Sequence, residues 1–130
     1  MYATQALLAM VFAASAVLAA PTPTSTATSD WTIENLTRDC NDAETSCTWT
    51  FGIFDGTTET ACTYIVAGPT ASGAATCGDY TVTSNYAQGN PPWTQFSVIK
   101  DGLIIYPSYT DDVLANPPVA DWTSAPVPTP

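Results

Sequence analysis

The stretch Cys47-Thr-Trp-Thr-Phe-Gly-Ile-Phe54, followed by Thr60-Ala-Cys-Thr-Tyr-Ile-Val-Ala67, decides the fold. In its first half Cys47, Trp49, Phe51 and Ile53 alternate with Thr48 and Thr50. Side chains two residues apart share a face of a strand, so this spacing gathers the large apolar groups on one side and hydroxyls on the other. That is the pattern of an antiparallel strand with one buried face. In the second half Cys62, Tyr64 and Val66 share one side, and Thr63 and Ile65 the other. Apolar residues on both sides predict an interior strand. Asp55-Gly56 is a hairpin signal, and a two-residue turn there predicts residue 47 opposite residue 64.

Working outward, Trp31–Thr37 and Asp79–Thr83 read as further strands. Thr94–Ile99 and Leu103–Tyr106 flank Lys100-Asp-Gly102, a second hairpin signal. Ser84–Trp93 contains Pro91 and Pro92, which cannot donate to a ladder, and reads as a long loop. Thr110–Ala115 suits one short helical turn with Asp111 and Asp112 at its positive end. Five prolines among residues 116–130 predict an extended tail, pinned to the body by Trp122. The expectation is an all-β domain: a small antiparallel β-barrel or sandwich of about six to eight strands.

The chain divides into four parts. Residues 1–19 read as a signal peptide, an uncharged apolar run with Val17 and Ala19 as the small residues before the cut. Residues 20–29 form a Pro/Thr/Ser-rich lead-in, residues 30–115 the β domain, and residues 116–130 the Pro-rich C-terminal tail. Secretion is therefore expected, and four cysteines in a secreted chain make two disulfides. Pairing of sequence neighbours favours Cys40–Cys47 with Cys62–Cys77. The nested alternative, Cys47–Cys62 with Cys40–Cys77, stays open.

Net charge is −10 with only Arg38 and Lys100 basic, so nucleic acid and anionic membrane lack a basic footprint to meet. The chain has no histidine, which removes the usual general base, metal ligand and neutral-pH switch. With the cysteines paired, no thiolate nucleophile or zinc site is expected. Asp39, Asn41, Asp42 and Glu44 are hard oxygen ligands, but their spacing departs from a calcium loop and reads as a solvated turn. Carboxylates alone remain for catalysis, and no catalytic residue, metal or cofactor is expected. Asn35-Leu36-Thr37 is an N-glycosylation sequon. Tyr86, Trp93, Tyr106 and Tyr109 are candidate stacking surfaces for a ligand.

Several segments together resemble a family: Trp31-Thr-Ile-Glu-Asn-Leu-Thr-Arg-Asp-Cys40, Cys47-Thr-Trp-Thr-Phe51, Cys62-Thr-Tyr-Ile-Val66, Cys77-Gly-Asp-Tyr-Thr-Val-Thr-Ser84 and Leu103-Ile-Ile-Tyr-Pro-Ser-Tyr-Thr-Asp111. They are similar to fungal small secreted proteins of the hypersensitive-response-inducing elicitor type, and more loosely to the β-barrel of the major Alternaria allergen family. The resemblance implies a compact secreted barrel with two intramolecular disulfides, recognised by plant tissue as an elicitor or effector. It carries no catalytic residues across. The expected partner is a host plant protein or cell-wall component. A binding module for wall glycan or a small aromatic ligand, or a structural protein of the fungal surface, are the alternatives. Four cysteines leave none for an intersubunit bridge, so a monomer or non-covalent dimer is expected.

Overall fold

The computed structural model describes residues 29–130. The expected signal peptide and the lead-in up to residue 28 lie outside the described residues. Ten strands and one short helix follow: β1 (Trp31–Cys40), β2 (Cys47–Phe54), β3 (Glu59–Val66), β4 (Gly73–Cys77), β5 (Tyr80–Ala87), β6 (Trp93–Lys100), β7 (Leu103–Ile105), β8 (Ser108–Thr110), α1 (Asp111–Leu114), β9 (Trp122–Ser124) and β10 (Val127–Pro128). They form two antiparallel sheets, β3-β2-β1-β9 and β10-β7-β6-β5-β4, with β8 on β6. The architecture is a sandwich, not a closed barrel, and it holds more strands than the alternation alone announces.

The alternating residues of β2 explain why the layers meet. Trp49 and Phe51 both point at Phe96 of β6, at 5.0 and 5.7 Å between ring centres. Phe96 also meets Tyr109 of β8 at 5.9 Å, and Trp31 of β1 meets Tyr80 of β5 at 5.4 Å. All four contacts are edge-to-face, the arrangement the ring quadrupole favours, worth about 0.5–1.5 kcal/mol each beyond area burial. Val82, Val98, Ile33, Ile53 and Ile105 fill the remaining interior.

The bridges are Cys40–Cys47 and Cys62–Cys77. The first joins direct cross-strand partners at the turn end of the β1–β2 hairpin. The second ties β3 of one sheet to β4 of the other, closing one side of the sandwich. In the chain-entropy account each stabilises by roughly 2–3 kcal/mol.

Three local expectations change. Phe54 pairs with Glu59, so the β2–β3 connection holds four residues and residue 47 faces residue 66. Asp55 causes this: its Oδ1 accepts the Thr57 and Thr58 amides at 2.9 and 2.8 Å, folding a longer side-chain-capped turn than Asp-Gly alone implies. Lys100 pairs with Leu103, by contrast, so Asp101-Gly102 is a true two-residue turn with positive φ at both positions. The Gly73–Cys77 segment is a strand although it carries only small residues. A Cβ at Gly73 would collide with Val66 and Tyr64, so smallness is what lets β4 approach. Ser84–Ala87 belongs to β5, which shortens the expected loop to residues 88–92.

The tail is part of the sandwich. β9 pairs with β1, as Trp31 with Ser124 and Ile33 with Trp122, while β10 pairs with β7. The tail thus crosses from one sheet to the other and covers the side opposite the Cys62–Cys77 bridge. Its prolines fall where a missing N–H is tolerated, at or beyond the sheet edges. α1 is capped by Thr110, whose hydroxyl accepts the Val113 amide at 3.4 Å.

Candidate functional surface

The residues left over by the core define the outer face of the four-stranded sheet. Register places Thr37, Thr50 and Thr63 in one row across β1, β2 and β3, all exposed. Asp39, Thr48 and Ile65 form the next row. Thr32 and Thr123 continue the face onto β9, their hydroxyls 3.0 Å apart. Threonine suits this position because its branched Cβ fits the pleat while the hydroxyl stays hydrated. Ile65 is the anomaly. It stands 68% exposed, the most exposed large hydrophobic residue among those described. The interior-strand expectation for residues 60–67 fails here: β3 is the edge of its sheet, and its second apolar side lies on the outer face that it shares with Thr50 of the central strand β2.

Charge frames this face. Glu34, Glu59 and Asp121 lie at its lower rim, and loss of hydration followed by the Glu59 and Asp121 carboxylates holds the Glu34 carboxyl above its usual range. Both cations are already engaged. Arg38 Nη1 lies 3.4 Å from Asp111 Oδ1, with the guanidinium 5.7 Å from the Trp49 ring centre. Lys100 Nζ donates to Asp55 Oδ2 at 3.0 Å and lies 4.9 Å from the centre of the Tyr80 ring. Two of twelve acidic residues are thereby paired and ten are left to set the surface potential. Arg38 thereby ties β1 to the first turn of α1, a link the sequence does not announce.

The four candidate ligand aromatics do not converge. Tyr109 is buried at 5% exposure, packs on Phe96, and burial pushes its phenol far up; it belongs to the core and is no stacking surface. Tyr86 is opposite Thr94, and Thr94 is opposite Tyr109, so Tyr86 shares the inward side of the sheet and is half-buried. Trp93 points to the other side, half-buried beneath the Gly89 backbone. Tyr106 alone is exposed, at 41%. Tyr86 and Trp93, two of the candidate stacking residues, are divided by the sheet itself, because register positions of opposite parity face opposite ways.

The Asn41–Ser46 turn is organised by Asn41. Its Oδ1 accepts the Thr45 and Ser46 amides at 2.8 and 3.1 Å, and its Nδ2 donates to Thr45 Oγ1 at 2.9 Å. Among the described residues no group of three or more acidic, histidine or cysteine side chains has the geometry of a metal site.

Asn35 sits on a β-bulge. Glu34 pairs with Gly52 and Thr37 with Thr50, so Asn35 and Leu36 together oppose Phe51. Asn35 takes φ 53°, a left-handed conformation that asparagine tolerates better than most residues. Its backbone N–H donates to Asp121 Oδ1 at 3.4 Å. Beside it opens a depression of about 400 Å³ lined by Asn35, Leu36, Thr37, Pro117, Pro118 and Val119.

Known proteins place this arrangement. A family model described as Effector TSP1 matches residues 32–128, from β1 through the C-terminal strand. Effector TSP1 of Hypocrea virens is 44% identical over 126 residues, a match covering 85% of this chain and 86% of that protein. The fungal-effector resemblance read from the strand and cysteine patterns is thereby confirmed, and the chain belongs to the Effector TSP1 family.

Proposed function

We propose that this protein is a secreted effector that works in plant tissue by binding a host protein or a cell-wall component, without catalysing a reaction, and that the outer face of β1–β2–β3 is its binding surface. The observation that carries this reading is Ile65, 68% exposed within an in-register field of threonines. An apolar side chain displayed on a rigid, stapled sheet gains free energy when a partner covers it. The chemistry of the chain supports binding over catalysis. It has no histidine, and all four cysteines are in disulfides. The partner's contacting surface is uncharged or cationic, since ten unpaired carboxylates repel anions.

The reading based on aromatic stacking has less support, because Tyr109 is core and Tyr86 and Trp93 face apart. Infiltration of purified protein into leaves of several hosts tests the proposal. Defence-gene induction, an oxidative burst or cell death at low protein dose is expected. Absence of any response, and of any change in the response to other elicitors, would overturn it.

A further inference from the structure

We propose that Asn35 is an N-glycosylation site and that the depression between the β1 bulge and the 117–119 segment seats the first sugar of its glycan. Period-2 reading of β1 argues the opposite. Trp31 and Ile33 face the core at 2% exposure each, so an uninterrupted strand would turn residue 35 inward as well. The bulge inserts one extra residue and resets the parity. Leu36 takes the inward position, 3% exposed, while Asn35 and Thr37 both stand exposed. The sequon's acceptor and its hydroxyl residue are therefore on the surface of the folded domain, outside the ladder's close pairs. A glycan added to the nascent chain would not obstruct the pairing of β1 with β2.

The occupant follows from the walls. Asn35 and Thr37 form the rim, and Leu36, Pro117, Pro118 and Val119 form an apolar floor. The volume of about 400 Å³ falls within the range of small-molecule sites, about 300–1,000 Å³. A sugar joined to Asn35 is tethered at this rim at high effective concentration. N-acetylglucosamine offers one face of C–H groups and an acetamide methyl to the proline rings and Val119. Its hydroxyl edge stays toward water and the Asp121 carboxylate, which already accepts the Asn35 backbone N–H.

The reaction is a group transfer from a lipid diphosphate-linked oligosaccharide. Asn35 Nδ2 bonds to the anomeric carbon as that carbon's bond to the diphosphate oxygen breaks. The diphosphate leaves with the electron pair, and Nδ2 loses one proton.

Full-length protein secreted from a fungal host gives the test. Intact mass should show one glycan, lost in Asn35→Gln and in Thr37→Ala and restored in Thr37→Ser. Thr37→Ala keeps Asn35 in its left-handed conformation, so the result does not depend on glutamine folding there. Endoglycosidase trimming to a single N-acetylglucosamine should preserve Tm, whereas complete amidase release, which leaves an aspartate at position 35, should lower it by about 4 °C. The Leu36 and Val119 methyl resonances should shift between these two forms. Unmodified Asn35 in the secreted protein overturns the site. Equal Tm and unmoved methyl resonances overturn the seat.

Discussion

Phe96→Ala should loosen the contact between the two sheets. Phe96 is 1% exposed in the middle of β6 and is the ring on which Trp49, Phe51 and Tyr109 converge. Truncating a buried phenylalanine costs about 3–5 kcal/mol, from lost transfer energy and from the cavity left behind. The upper end applies here. Three edge-to-face contacts vanish together, and the void cannot collapse easily because the Cys62–Cys77 bridge and the β9–β10 crossing fix the spacing of the layers. The expected loss is therefore about 4–5 kcal/mol, a large share of the stability of a small domain. Urea unfolding followed by tryptophan fluorescence suits the measurement, since Trp49 lies against the deleted ring. Thr50→Ala, on the exposed face, is the control and should stay within about 0.5 kcal/mol of wild type. A loss below about 2 kcal/mol for Phe96→Ala would refute the claim that this aromatic cluster joins the sheets.

Asp55→Asn should make stability less dependent on acid. The Thr58 amide, the Lys100 ammonium and the Thr57 amide hold the Asp55 carboxyl down to about 2. A lowered folded value stabilises above the unfolded value of about 3.9 and is lost as pH falls toward 2, so the gap between wild type and variant, on the order of 1 kcal/mol after solvent screening, should close across that window. Glu34→Gln should have the opposite sign. The Glu34 carboxyl is raised, so ionisation opposes folding at neutral pH, and the variant should melt higher at pH 7 with the advantage vanishing as pH falls through the carboxylate range. Replacing Cys62 and Cys77 together by alanine should cost about 3 kcal/mol by closing-loop entropy, read as a fall in the urea midpoint with the sheets otherwise intact.

The strands with large alternating side chains were legible in the sequence. β2 and β3 announce themselves through Trp49, Phe51, Tyr64 and Val66, and both bridges join neighbouring cysteines as chain order favours. What alternation could not carry were the elements defined by their neighbours. β4 is a strand because small residues let it approach Val66 and Tyr64, and small residues have weak strand propensity. The tail is built into both sheets because β1 and β7 present open edges to it, a tertiary fact with no local signature. The surface was less legible than the fold. A tyrosine in a strand reads alike whether it points in or out until a neighbouring register is known, so the sequence alone does not tell Tyr109 and Tyr86 from ligand-facing residues. Ile65 lay in plain view in the alternation, and only the packing of the second sheet against the Tyr64 and Val66 side shows that its own side is the wet one.

The most direct measurement is the leaf response to Ile65→Asp set beside wild type and Tyr106→Ala at equal dose. Each variant should first show an unchanged melting temperature, because Ile65 is mostly solvent-exposed. If the β1–β2–β3 face binds the plant partner, Ile65→Asp should lose at least tenfold in dose, while Tyr106→Ala retains wild-type activity. Full activity in Ile65→Asp, with loss confined to Tyr106→Ala, would place the working surface on the other side of the sandwich and contradict this account.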